Sequence, residues 1–128
     1  WHIVASVGEQ SGEIPYTSFI SLGSYLKKNP DIIKSFLKAL KKAHAFMAES
    51  SEREIAEAIV KQFPSTSIAS LETSVKSYKK INAWKTDLQA TEASFTRLQD
   101  VMENSGELPK RVPFKDITDN GFAEEVFG

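Results

Sequence analysis

From residue 30 onward, apolar positions recur at intervals of three and four, the spacing of one face of an α-helix. Pro30 and Asp31 open the first such run, in which Ile33, Phe36, Leu37, Leu40, Ala43 and Met47 align. Lys34, Lys38, Lys41 and Lys42 fall mostly on the opposite side. Ser51 with Glu54 three residues on has the form of a capping box, and it introduces a helix whose buried side is Ile55, Ala56, Ile59, Val60 and Phe63, stopped by Pro64. A third helix is expected over residues 67–81, with Ile68, Leu71, Val75 and Tyr78 in line. A fourth is expected over residues 91–105, with Phe95, Leu98 and Met102 in line and Gly106 as its C-terminal cap. The tail beyond Glu107 carries Phe114, Ile117, Phe122, Val126 and Phe127, too many large apolar groups for a disordered end, so it should pack on the body.

The first 22 residues follow a different pattern. Residues 3–7 form a short β-branched run bounded by Gly8, and residues 16–22 form a second one opened by Pro15 and closed by Gly23. Both read as strands, joined by Gly8-Glu9-Gln10-Ser11-Gly12-Glu13, which is longer than a tight hairpin turn. The expected class is therefore α/β but predominantly helical, with two strands and four or five helices. Two strands do not make an independent sheet. The chain also opens on Trp1 with no initiator Met, which reads as a start inside something larger.

Composition narrows the function classes. With 41% hydrophobic and 26% charged residues in 128, the chain has the make-up of one globular domain. Sixteen Lys and Arg against seventeen Asp and Glu leave a formal charge of −1, and no basic stripe is present to attract nucleic acid. The lysine-rich side of the helix from Pro30 reads as a solvated face, with an acidic partner as the sharper alternative. Cysteine is absent, which removes disulfides, thiolate metal sites and a Cys nucleophile.

Enzyme signatures are missing too. Neither GxGxxG nor GxxxxGK[ST] occurs, and His2 and His44 are not in a zinc-binding pattern. His44 lies one turn after Leu40 on the helix from Pro30, where a structural histidine is expected. Carboxylate neighbours such as Glu52 with Glu54 and Glu124 with Glu125 belong to expected solvated helix surface, without the opposed environments that acid and base roles need. Tyr78 and Trp84 read as packing groups rather than a stacking platform. No metal, cofactor or catalytic residue is expected.

The segment between the two apolar runs is the exception. A polar loop carrying Glu9, Gln10 and Ser11 between glycines, with Tyr16 beyond it, suits contact with a small polar molecule, because Gly permits close backbone approach and exposed amide and hydroxyl groups orient a solute. A plain connecting loop fits the same composition.

The order of segments carries a resemblance. Pro15-Tyr16-Thr17, Asn29-Pro30-Asp31, Phe36-Leu37-Lys38-Ala39, the Phe63-Pro64 break, the stretch from Tyr78 to Trp84, Ser94-Phe95 with Leu98-Gln99, and Gly106-Glu107-Leu108 leading to Val112-Pro113-Phe114 follow one another as in a known family. In this order, and over nearly the whole chain, they resemble the solute-binding proteins of bacterial ABC importers for nitrate, sulfonates, taurine and thiamine-precursor pyrimidines. The resemblance implies the C-terminal part of a two-lobed, type II periplasmic-binding-protein fold. Residues 1–22 would then be hinge and crossover strands, and 23–128 the helical C-terminal portion of the first lobe.

The family likeness also implies a mechanism. A small solute binds between lobes that close about a hinge, and the closed form docks on a membrane permease. Gly8 and Gly12 would be the hinge, and Glu9, Gln10, Ser11 and Tyr16 the ligand contacts. The implied location is periplasmic or extracellular, as a free protein or a membrane-anchored lipoprotein, and a truncated chain would self-associate through unpaired edges. Two rivals stand beside this reading. The thiamine pyrimidine synthases share the fold but are associated with a Cys-rich motif and an active-site His, and this chain has no Cys. A self-contained helical interaction module would use its helix faces on a protein partner.

Overall fold

A computed structural model describes His2 and residues 4–128. Its helices, in chain order, are α1 (Val7–Gln10), α2 (Gly23–Lys28), α3 (Pro30–Glu49), α4 (Glu52–Ile59), α5 (Ile68–Lys80), α6 (Glu92–Asn104), α7 (Phe114–Ile117) and α8 (Gly121–Phe127). The predominantly helical expectation is met. Among the described residues there is no strand, so neither expected strand forms, and Ile3 lies outside the described residues. Ser6 and Leu22 do hold extended dihedrals. A strand, however, exists through hydrogen bonds to a neighbour, and here no second extended segment supplies them. Val7, expected at the end of a strand, instead begins α1.

The chain divides into two compact units, one made of residues up to Leu37 together with Asp87–Gly128, the other of Lys38–Thr86. Helix α3 runs through the boundary. Asn29 sets its start: this residue closes α2 by donating its backbone N–H and its side-chain Nδ2 to the Tyr25 carbonyl, and its own carbonyl accepts from Ile33 N–H. Pro30 in the first turn then loses nothing by lacking an N–H. Along α3 the half-buried stripe is Ile33, Leu37, Leu40, His44 and Met47, whereas Phe36 and Ala43, expected within it, are exposed.

In the unit of Lys38–Thr86, α4 packs against α5. Ile55 and Ala56 from α4 and Leu71 and Val75 from α5 are buried, with Ala56 at 0% exposure. Local chemistry marks both helix starts. The Ser51 backbone N–H donates to Glu54 Oε2 at 2.8 Å while the Ser51 hydroxyl oxygen accepts from Glu54 N–H at 3.3 Å, completing the capping box. Ser67 caps α5 by accepting from Ser70 N–H at 3.1 Å. Helix α4 ends at Ile59 and tightens into a 3₁₀ turn over Val60–Gln62, so the Pro64 stop is felt before Phe63, which is exposed. Tyr78, expected on the core stripe of α5, is also exposed, and its ring meets Trp84 at 5.5 Å. The inward position belongs to Lys79, whose Nζ donates to the Ser50 carbonyl at 2.7 Å.

In the other unit, α6 is bounded as expected. Thr91 accepts from Ser94 N–H at its start. At its end Gly106, with φ of +78°, donates to the Glu103 carbonyl, and Glu107 N–H donates to Met102, a Schellman closure that a side chain at Gly106 would strain. The tail packs on this unit as expected. Phe114 meets Phe95 at 5.8 Å, Ala123 of α8 is buried, and Glu125 pairs with Lys34 at 2.5 Å; Ile117 and, to a lesser degree, Val112 stay exposed.

Candidate functional site

The six residues singled out from the sequence fall on one short turn and the segment after it. Ser6 opens α1, and its carbonyl accepts from both Glu9 and Gln10 N–H at 3.2 Å. Ser11 closes the turn by donating its N–H to the Val7 carbonyl at 2.9 Å, and its hydroxyl donates to the Gly12 carbonyl at 3.1 Å. Gly8, Glu9 and Gln10 lie within α1. Helical geometry places their side chains on an exposed single turn, with Ser11 half-buried behind them.

Gly12 reverses the chain. Its φ of +69° is a left-handed conformation that costs other residues about 1–2 kcal/mol. It also sits under Arg97 of α6: a Cβ here would lie 3.2 Å from Arg97 Nη1. The same Nη1 donates to the Glu13 carbonyl at 2.7 Å. Gly12 is therefore the place where the turn is pinned to α6. A guanidinium beside a turn that carries the exposed Gln10 amide is chemically suited to an anionic or strongly polar solute.

Tyr16 stands apart. At 98% exposure its side chain touches almost nothing in the chain, so the structure does not bring it together with Glu9, Gln10 and Ser11. In the same segment Val4, Phe19, Ile20 and Leu22 are also strongly exposed, and the Phe19 ring meets Phe36 edge-on at 4.9 Å. Arg97 was absent from the sequence-based candidates because its partner lies 84 residues away, and no local spacing signals such a contact.

A second concavity lies between α6 and the segment leading into α7, with a volume of about 320 Å³ and walls that include Phe95, Gln99, Arg111, Val112 and Phe114. Its two strongest polar groups are already engaged. Gln99, buried, accepts from Val112 N–H at 2.7 Å. Arg111 Nη2 donates to Asp100 at 2.5 Å and to Glu103 at 2.6 Å, and these carboxylates, Glu103 foremost, hold its guanidinium more firmly protonated than usual. The cleft is thus a structural clamp between α6 and the tail. Among the described residues no group of three or more His, Asp or Glu is placed to hold a metal ion, and no helix is long and apolar enough to cross a membrane.

With the geometry in hand, comparison with known proteins gives one informative result. The chain is 42% identical over 125 residues to the "Putative binding protein YtlA" of Bacillus subtilis (strain 168). The matched stretch is 98% of this chain and 37% of that protein, so the chain spans little more than a third of its relative's length. No family model matches the chain, and no solved structure matches it. The relative's name describes a binding protein and specifies no ligand.

Proposed function

We propose that this chain is part of the solute-binding component of a bacterial ABC importer, a non-enzymatic protein that captures a small polar molecule between two lobes and hands it to a membrane permease. The observation that carries the reading is the 42% identity, across 98% of this chain, with a protein named as a binding protein. The order of motifs set out above supports the narrower assignment to the nitrate, sulfonate, taurine and thiamine-precursor pyrimidine group, with a type II periplasmic-binding-protein fold and a periplasmic or extracellular location. The strong exposure of Val4, Tyr16, Phe19, Ile20 and Leu22 supports it as well, since large apolar side chains left this open are commonly covered by another body. In this reading Glu9, Gln10 and Ser11 contact the solute, Arg97 fixes the turn that presents them, and Tyr16 joins the site only when the second lobe closes.

The test is a thermal-shift screen on the protein expressed from its full gene, against nitrate, taurine, simple alkanesulfonates and aminopyrimidines. A true ligand at about 100 times its dissociation constant adds about 2.7 kcal/mol of stability, and Gln10→Ala or Ser11→Ala should reduce that shift while leaving the unliganded midpoint in place. Absence of any shift across the panel, together with no small molecule released on denaturing the purified protein, would overturn the assignment.

A further inference from the structure

The chain contains a single Asn-Gly dipeptide, Asn120-Gly121, at the joint where the C-terminal helix begins. In a flexible chain this is the pair most prone to deamidate, because glycine leaves its own amide nitrogen unhindered to attack the asparagine side chain. Here every group that would take part is held. The Asn120 side-chain oxygen accepts from Ala90 N–H at 3.0 Å, and its Nδ2 donates to the Ala90 carbonyl at 2.9 Å, so the amide pairs with a backbone unit 30 residues away much as a neighbouring strand would. The Gly121 N–H, the would-be nucleophile, donates to Asp119 Oδ1 at 2.9 Å. The Asn120 backbone, at φ −90° and ψ −7°, is in the helical region, and closing a five-membered ring would demand a large rotation of ψ out of it. Asn120 also carries the first turn of α8, its carbonyl accepting from Glu124 N–H at 2.9 Å, so that rotation unseats the helix start.

We propose that Asn120-Gly121 is a latent modification site: the fold blocks its deamidation, and once α8 opens, the modification makes that opening irreversible. The chemistry is complete with water alone. Gly121 N bonds to Asn120 Cγ and ammonia leaves, giving a succinimide, and water then opens the ring to aspartate or isoaspartate. In the aspartate product an oxygen replaces the Nδ2 donor and faces the Ala90 carbonyl, so one bond of the clamp becomes a repulsion between two acceptors. The new carboxylate also lies beside Asp119. In the isoaspartate product the backbone gains a methylene and the register into α8 is lost. Either product frees a helix that carries buried Ala123 and the Glu125 partner of Lys34.

The experiment ages the chain in mildly alkaline buffer, folded and in urea, and quantifies aspartate and isoaspartate at position 120 by peptide mapping. Conversion in the folded protein should be slower by at least about tenfold, the ratio reporting how rarely α8 opens. Ala90 amide hydrogen exchange is then compared between the original chain and Asn120→Asp, with Asn120→Gln as the amide-bearing control. Asn120→Asp should lose protection at Ala90 and gain protease cleavage near α8. If Asn120→Asp fails to fold, the aged, deamidated fraction is purified and measured in its place. Equal conversion rates in the two states, or unchanged Ala90 exchange in the deamidated chain, would overturn the proposal.

Discussion

The α4/α5 pair and the segment from residue 4 to residue 22 contain the same kinds of apolar residue and treat them in opposite ways. In the pair, Ile55, Ala56, Leu71 and Val75 interlock and are almost wholly hidden; in the segment, Val4 and Ile20 are 98% and 95% exposed. Apolar content does not explain the difference. Each helix satisfies its own backbone hydrogen bonds within four residues, so α4 and α5 need from each other only side-chain packing. Outside the single turn of α1 the segment has no regular hydrogen-bonded structure, and such a stretch needs a neighbour before its side chains have a surface to pack on. Burial here followed the availability of a partner.

The comparison is broken most severely at the core of the pair. Leu71→Ala should cost about 2–5 kcal/mol through lost burial and a residual cavity, read as a lowered urea midpoint. An anchored point of the exposed segment comes next. Gly12→Ala should cost about 1–2 kcal/mol from its left-handed backbone, and more than Gly106→Ala, whose added Cβ meets nothing within 4 Å, because the new Cβ would also crowd Arg97 Nη1 at 3.2 Å and push it against its bond to the Glu13 carbonyl. Equal costs for the two glycine variants in chemical denaturation would mean that Arg97 does not hold the turn.

A cap lies below these in size. Ser67→Ala should lose about 1 kcal/mol and fray the start of α5, visible as faster amide exchange at Ser70. Smaller still, Ile20→Ala should change the stability of this chain by less than about 0.5 kcal/mol, yet cost clearly more in the full-length protein if a second body covers the segment. Size-exclusion chromatography with light scattering offers the matching check, since Ile20→Lys should reduce concentration-dependent self-association of the chain alone. The last effect is a pH dependence confined to the start of α4. The Ser51 hydroxyl and backbone N–H hold the Glu54 carboxyl below its ordinary value of 4.5, so the cap is fully present above that pH and is lost as pH falls through the depressed value. Glu54→Gln should flatten this part of an acid titration followed by helical circular dichroism.

Helix limits were legible wherever a capping side chain or a left-handed glycine answers the nearby backbone. Ser51, Ser67, Thr91 and Gly106 mark their termini within a residue, because the geometry that makes each cap is local. Burial along each helix was less legible. The 3.6-residue period puts Phe36 and Tyr78 in line with the apolar stripes of their helices and does not say on which side a neighbour will arrive, and the structure left both exposed and turned Lys79 inward. The candidate turn was readable as a glycine-flanked polar loop. Its anchor was not, because Arg97 and Glu13 are joined only through the fold.

The sequence by itself determined that this chain is mainly helical, where α4, α5 and α6 begin, how α6 ends and that the tail would pack, since these follow from hydrogen bonds and periodicity within a few residues. Tertiary structure alone decided that residues 16–22 form no strand, that Arg97 pins the Gly12 turn, that Arg111 bridges Asp100 and Glu103, and that Asn120 clamps Ala90. Those outcomes depend on which distant groups the folded backbone brings within about 3 Å of one another, the reach of a hydrogen bond, and distance along the chain carries no record of that.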